Sequence, residues 1–129
     1  MDILLDTHAL IWFINGDTFL PEKAIVLIKD IKTNCYVSIA SIWEIAIKLS
    51  LGKLELNGDL KDISRIMEQH QIELLPIAFD HIQKLMSLEY HHRDPFDRII
   101  ISQGLVENLI IITKDENFPK YNIGVIWDK

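Results

Sequence analysis

Four carboxylates in this chain stand where an apolar run gives way to a helix or loop, or one turn into the helix that follows. Asp6 follows Ile3-Leu4-Leu5, Glu44 comes after Tyr36-Val37-Ser38-Ile39, Asp97 lies at the opening of a helix, and Asp115 follows Leu109-Ile110-Ile111-Ile112. In open α/β sheets ligands collect at the carboxyl ends of the strands, near the point where strand order reverses. Acids far apart in sequence can therefore meet there in space. Crowded like charges repel and partly protonate unless a cation neutralises them. Mg²⁺ or Mn²⁺, hard ions that prefer oxygen ligands, is the natural cation. The pattern points to metal-dependent chemistry on phosphate.

Short β-like runs alternate with helical stretches along the whole sequence. Strands are expected at residues 2–5, 35–39, 72–75 and 109–112, with a last edge strand at 123–127. Helices are expected at residues 7–14, 21–32, 41–51, 59–69, 78–88 and 95–108. Pro21 and Pro95 suit the first helical position, and Gly52 stands where a helix from Ser41 would stop. Strands alternating with helices imply crossover units and a parallel sheet covered on both faces. With no internal repeat or linker in view, residues 1–129 read as one α/β domain.

Composition excludes several other classes. A chain of 129 residues, 49% hydrophobic and 25% charged, can bury a core of its own. No apolar run approaches the roughly 18 residues of a membrane span. The start, Met1-Asp2-Ile3, lacks the basic region of a secretory signal. Cys35, the one cysteine, lies in an apolar segment and reads as buried and reduced, which fits a cytoplasmic protein. No Cys/His spacing suggests zinc. The net charge of −6 argues on its face against nucleic acid as a partner. Two bound divalent ions would bring it to about −2 and place positive charge where a phosphate must dock. Lys48, Lys53, Arg93, Arg98 and Lys114 all fall near the acids in sequence and are the candidates for further steering.

Each acid also has a purely structural reading. Asp6 could be the N-cap of the helix after it. Ser41-Ile42-Trp43-Glu44 fits a capping box, with Glu44 reaching back to the Ser41 backbone, and spacing alone favours that role. Asp94, before Pro95, is a strong N-cap candidate. Asp97, in the first turn, gains from the helix dipole. Asp115 could belong to an ordinary turn.

The combination carries more than any one acid. Leu4-Leu5-Asp6-Thr7-His8-Ala9-Leu10-Ile11-Trp12, then Ser38-Ile39-Ala40-Ser41-Ile42-Trp43-Glu44-Ile45-Ala46-Ile47-Lys48 continuing to Leu51-Gly52-Lys53-Leu54, form two blocks. His92-Arg93-Asp94-Pro95-Phe96-Asp97-Arg98 with Ile99-Ile100-Ile101, and Ile111-Ile112-Thr113-Lys114-Asp115, form two more. Together, and in this order, they resemble the PIN domain family, most closely the branch with VapC-type toxins of bacterial toxin–antitoxin pairs.

That resemblance implies a three-layer α/β/α sandwich around a parallel sheet of four to five strands. It implies that Asp6, Glu44 and Asp97 bind metal, that Asp115 fills the fourth acidic position, and that Thr113 supports the site, with Asp94 a further acid near the pocket. The implied activity is hydrolysis of RNA phosphodiesters with Mg²⁺ or Mn²⁺, one ion or two. The implied partners are a cognate antitoxin and a second copy in a homodimer. Ile11-Trp12-Phe13-Ile14 and Ile42, Trp43, Ile45, Ala46, Ile47 and Leu49 offer apolar surface for both contacts, more than one core can take up.

Other residues read as structure. His8 suits packing or capping. His91 and His92 fall in a loop facing phosphate or solvent, and Trp12, Phe13 and Trp43 suit packing rather than base stacking. Ser38 and Ser41 have no histidine partner for nucleophilic catalysis. A catalytically silent PIN-like module that binds RNA or protein is the alternative from another class, and retention of all four acids argues against it. A phosphoacceptor domain would leave Glu44 without a purpose. A haloacid-type phosphatase would need a second aspartate two residues after Asp6, where His8 stands.

Overall fold

In the computed structural model, described over residues 1–127, five parallel strands form one sheet. They are β1 (Asp2–Leu5), β2 (Asn34–Ser38), β3 (Glu73–Leu75), β4 (Ile110–Ile112) and β5 (Val125–Ile126), in the spatial order β3-β2-β1-β4-β5. β1 is central because it can be: Ile3, Leu4 and Leu5 are all fully buried, as a strand covered on both faces requires. Leu5 stands in register between Val37 and Ile112. The chain builds outward from β1 through β2 to β3, then returns to the other side of β1 for β4. Strand order therefore reverses between β1 and β4, and that crevice is where a ligand site is expected in such a sheet.

Alternation along β1 divides the core into two layers. Ile3 and Leu5 pack with Leu10 and Ile14 of α1 (Thr7–Asn15), Ala24 and Ile28 of α2 (Glu22–Lys29), Ile45 of α3 (Ile39–Ser50), and Ile63 and Met67 of α4 (Leu60–Gln69). Leu4 points the other way, to Ile100 and Ile101 of α6 (Pro95–Glu107) and to Phe118 and Tyr121 of a single 3₁₀ turn. Truncating Leu4 to alanine would remove a fully buried side chain from that second layer, a loss of about 2–5 kcal/mol. The result is a three-layer α/β sandwich with six helices.

α5 (Phe79–Ser87) lies against α6 and is stapled to it by polar groups. The buried His81 ring accepts the Ala78 N–H at Nδ1 (2.9 Å) and meets Glu107 Oε2 at Nε2 (2.8 Å), while the Ser102 hydroxyl donates to the His81 carbonyl. Among the described residues no helix is long and apolar enough to cross a membrane.

Element boundaries moved where side chains cap earlier or later than spacing suggests. α2 ends at Lys29 rather than 32, because Asp30 folds into a turn in which its carboxylate accepts the Lys32 N–H (2.9 Å). α3 begins at Ile39 rather than Ser41, because the Ser38 hydroxyl caps it by accepting the Ala40 N–H (3.0 Å). Gly52, at φ 68°, does stop α3. Cys35 is buried, which pushes its thiol pKa up to about 12. Of the apolar surplus expected on α1 and α3, Ile11, Ile14 and Ile45 are core residues. What remains exposed on that side is Trp43, Ile47 and Leu51, one stripe at four-residue spacing. α5 adds Phe79, Ile82 and Met86, none of which the sequence singled out.

Candidate active site

β1 ends at Leu5, and Asp6 is the first residue beyond it, held in place by its own N–H to the Ile112 carbonyl (3.1 Å) across the crevice. Its carboxylate serves two neighbours. Oδ1 accepts the Ala9 N–H (2.8 Å) and so caps α1, while Oδ2 accepts the Thr113 hydroxyl (2.5 Å). The capping and site readings of Asp6 are thus both satisfied by one buried side chain. Burial pushes its pKa up from 3.8 to about 6, although both hydrogen bonds oppose the shift.

Thr113, buried just past β4, also accepts the Asp115 N–H (3.0 Å), which fixes the turn that carries Asp115. Asp115 Oδ1 accepts the Asn117 N–H (2.8 Å). Its other oxygen faces the site.

Asp97 is the third residue of α6, and Asp94 is that helix's N-cap: Asp94 Oδ1 accepts the N–H groups of Phe96 (2.8 Å) and Asp97 (3.2 Å). Burial pushes the Asp97 pKa up from 3.8 to about 7. The charges of Asp94, Asp6 and Glu44 add to the rise, and His92 opposes it. Asp6 and Glu44, distant in sequence, are therefore close enough for Asp97 to feel their charge.

Glu44 lies in the second turn of α3 and does not form the capping box that its spacing suggests. With Ser38 as the cap, Ser41 is inside the helix, its hydroxyl accepting from Thr7 Oγ1 (3.0 Å). Glu44 Oε2 instead pairs with Lys48 Nζ (3.0 Å), and its Oε1 is buried with no hydrogen-bond partner among the described residues. A buried carboxylate oxygen left bare is costly and calls for an explanation.

His92, expected to face phosphate or solvent from its loop, instead turns its ring onto two of the acids. Its ring is mostly buried, and Nε2 lies 3.0 Å from Asp97 Oδ2 and 2.7 Å from Asp115 Oδ2, bridging the two acids. One signal was present: His92 sits two residues before a capping aspartate, so the turn into α6 carries its ring towards the same end of the sheet. His91, in contrast, is exposed and pairs with Glu89 (3.0 Å).

Arg98 is a correction to the set of steering cations. It is buried and turned away from the acids, donating to the carbonyls of Leu85, Leu88, Glu89 and His92 and to Tyr121 Oη, with Tyr90 stacked 4.0 Å from its guanidinium. Lys48 is engaged with Glu44, and Lys114 lies over the Phe19 ring. Arg93 and Lys53 are exposed. Trp43 is 60% exposed rather than packed in the core, and meets Phe96 edge-on beside the acids.

These donors suit a hard divalent cation. The charges of Asp6 and Glu44 both reach Asp97, Asp6 and Asp97 have pKa values raised towards neutrality, and one buried oxygen of Glu44 has no partner among the described residues. An apolar groove of about 650 Å³ between Ile42, Leu60, Ile63, Met67 and Ile72 is lined by none of Asp6, Glu44, Asp97 and Asp115. The chemistry follows the carboxylates, not the volume.

The family model described as PIN domain matches residues 3–124. Among solved structures, the chain is similar to one of VapBC2 from Rickettsia felis bound to a DNA fragment from their promoter. The TM-score there is 0.74 at 17% identity, over 99% of this chain and 100% of the other. It is also similar to VapBC-1 from nontypeable Haemophilus influenzae (TM-score 0.70, 16% identity, 98% and 97% covered). A toxin–antitoxin complex from Klebsiella pneumoniae aligns too (TM-score 0.64, 17% identity, 97% and 96% covered). No curated protein matches the sequence. With acids at the reversal point of a five-stranded parallel sheet and a family model spanning almost the whole sequence, the chain belongs to the PIN domain family.

Proposed function

We propose that this chain is a Mg²⁺- or Mn²⁺-dependent endoribonuclease and the toxin of a type II toxin–antitoxin pair. The observation that carries the reading is Asp97, which feels the charges of both Asp6 and Glu44 and meets Asp115 through His92, while one buried oxygen of Glu44 has no partner among the described residues. Asp6, Glu44 and Asp97 would hold the cation, and Asp115 would complete the site or help hold a second ion. A bound divalent cation supplies Lewis acidity, activating water near neutral pH and neutralising charge on phosphoryl oxygens.

The chain's own residues supply the order. Thr113 and the Ala9 N–H hold both oxygens of Asp6, so its carboxylate cannot rotate freely. Asp94 fixes the first turn of α6 and with it the direction of Asp97. Lys48 pairs with one oxygen of Glu44 and leaves the other to a ligand. The exposed Arg93 and Lys53 are the cations available to a backbone phosphate, and Trp43 beside the acids offers a face to a base.

The assignment to RNA follows the resemblance of the four sequence blocks. An antitoxin partner is supported by the solved complexes that share this fold, and the exposed stripe of Trp43, Ile47 and Leu51 is apolar surface for such a partner or for a second copy in a homodimer. The reading places the protein in the cytoplasm, where the buried Cys35 stays reduced.

The test is incubation of the purified chain with structured RNAs, with Mn²⁺ and with chelator. Cleavage that appears with Mn²⁺ and vanishes with chelator is expected. RNA binding without cleavage under every metal condition would favour a silent binding module instead.

A further inference from the structure

His92 enters neither the acidic set nor the basic set, yet its position is the most constrained in the loop before α6. Its backbone N–H donates to Tyr121 Oη (2.8 Å), its carbonyl accepts from Arg98 Nη1 (3.3 Å), and its ring meets Phe118 edge-on at 6.0 Å. The ring itself is fixed by a fourth contact, in which Nδ1 accepts the Asp94 N–H (3.1 Å). A ring nitrogen that accepts an N–H carries no proton, so the neutral imidazole has its proton on Nε2. Nε2 lies between Asp97 Oδ2 (3.0 Å) and Asp115 Oδ2 (2.7 Å).

His92, Asp97 and Asp115 are close enough together to suggest a three-ligand metal site. The hydrogen-bond pattern speaks against the ring as a ligand. A metal-binding histidine coordinates through one nitrogen and donates an N–H from the other, usually to a carboxylate or carbonyl. Here the far nitrogen accepts, and the near one carries the proton.

We propose that His92 is a positioning residue and not a metal ligand: its Nε2–H, shared between Asp97 and Asp115, holds two carboxylates from different elements in the arrangement that receives the cation. The inference rests on the metal-nuclease reading. It adds a distinct claim, that the half of the site lying away from Asp6 is organised by a donor on the loop. Without that donor Asp97 and Asp115 repel each other and swing apart before a cation arrives. Asp97 keeps its second oxygen, and Asp115 Oδ2 keeps a lone pair beside the bridge, so both remain able to serve as ligands.

The test is Mn²⁺ affinity by calorimetry for the full chain and for His92→Phe and His92→Gln, with circular dichroism melts as a control on folding. Phe keeps the packing against Phe118 and loses the donor, and Gln places an amide N–H near the position of Nε2. His92→Phe should weaken Mn²⁺ binding by about 10–100-fold, the range for outer-shell partners of metal ligands, and His92→Gln should recover much of it. Pulsed electron paramagnetic resonance of bound Mn²⁺ should show no nitrogen coupling that disappears in His92→Phe. Such a coupling would make the ring a ligand and overturn the inference. So would unchanged or tighter Mn²⁺ binding by His92→Phe, or by His92→Leu should the Phe variant fail to fold. Absence of Mn²⁺ binding by the unsubstituted chain is a separate outcome, overturning the metal reading and this inference together.

Discussion

At the ends of β1 and β4, Asp6 is buried, with one oxygen on a helix N-terminus and the other on the Thr113 hydroxyl. Across the crevice, Asp97 and Asp115 are partly exposed, and their carboxylates meet through the ring of a loop residue. The first half is fixed by sheet register: once Leu5 pairs with Ile112, Asp6 and Thr113 are neighbours. The second half depends on the loop before α6, and that loop hangs on Arg98. Positioning by a strand end comes with the fold itself, whereas positioning by a loop needs a dedicated anchor. The pKa values reflect the same contrast. Burial raises both, Asp6 to about 6 and Asp97 to about 7, and the other influences differ. Hydrogen bonds relieve Asp6, and like charges from Asp94, Asp6 and Glu44 weigh on Asp97.

The largest effects should come from removing charge on either side. Asp6→Asn, Glu44→Gln and Asp97→Asn should each lower Mn²⁺-stimulated RNA cleavage by roughly a hundredfold or more, because an amide is a far poorer ligand for a hard cation. Far-ultraviolet circular dichroism should be unchanged. Wild-type cleavage by Glu44→Gln would make the bare Oε1 an accident of packing and remove Glu44 from the site.

Stability separates the halves next. Arg98→Met removes the donor to four carbonyls and one hydroxyl in the loop region, and should cost about 3 kcal/mol or more in chemical denaturation. Thr113→Val removes a single hydroxyl from the strand-end half and should cost about 1–3 kcal/mol. Hydrogen exchange should distinguish them in kind. Protection in residues 85–94 should fall in Arg98→Met and persist in Thr113→Val. Loss of protection across the whole chain in both variants would mean that the loop is not a separately anchored unit.

Most of the fold was legible because it rests on local signals. Three consecutive apolar residues before Asp6, the proline and glycine punctuation of the helices, and the alternation of strand with helix gave the layers and the parallel sheet. The ends of α2 and α3 were misjudged where a neighbour caps sooner, as Ser38 does ahead of Ser41. Asp6, Glu44 and Asp97 stood out because acids after apolar runs are few. Arg98 and His92 were misjudged for one reason: a side chain's direction depends on tertiary contacts. Arg98 is on the same helix as Asp97 but points to the core, and His92 acquires its role only when Tyr121, 29 residues away, holds its backbone. No spacing rule encodes that.

A smaller effect concerns pH in the absence of metal. Asp6 and Asp97 have folded pKa values of about 6 and about 7 against 3.8 for the ordinary carboxyl, so between these limits the folded chain binds more protons than the unfolded one. Their contribution to stability is complete below about pH 4 and is lost as pH rises through about 7. The urea midpoint of the metal-free chain should therefore decline across that window relative to Asp97→Asn, which lacks the higher of the two titrations. Saturating Mn²⁺ should reduce the decline in the unsubstituted chain. Parallel pH profiles for the two proteins would show that Asp97 does not carry a raised pKa.

The smallest change is expected at Asp94, three residues before Asp97 on the same helix turn. Asp94 is the N-cap of α6, and asparagine accepts the same N–H bonds about as well, so Asp94→Asn should alter stability by no more than about 0.5 kcal/mol. It should keep most of the cleavage that Asp97→Asn loses. One further consequence follows from charge alone. After burial, Asp94 is the largest influence raising the Asp97 pKa, so neutralising it lowers that pKa and leaves Asp97 ionised over more of the acidic range. A proton then competes less with the cation. The ratio of Mn²⁺ affinity at pH 6 to that at pH 7.5 should be higher in Asp94→Asn than in the unsubstituted chain. If Asp94→Asn instead loses cleavage and Mn²⁺ binding as fully as Asp97→Asn, Asp94 belongs among the ligands, and the loop half of the site holds three acids rather than two.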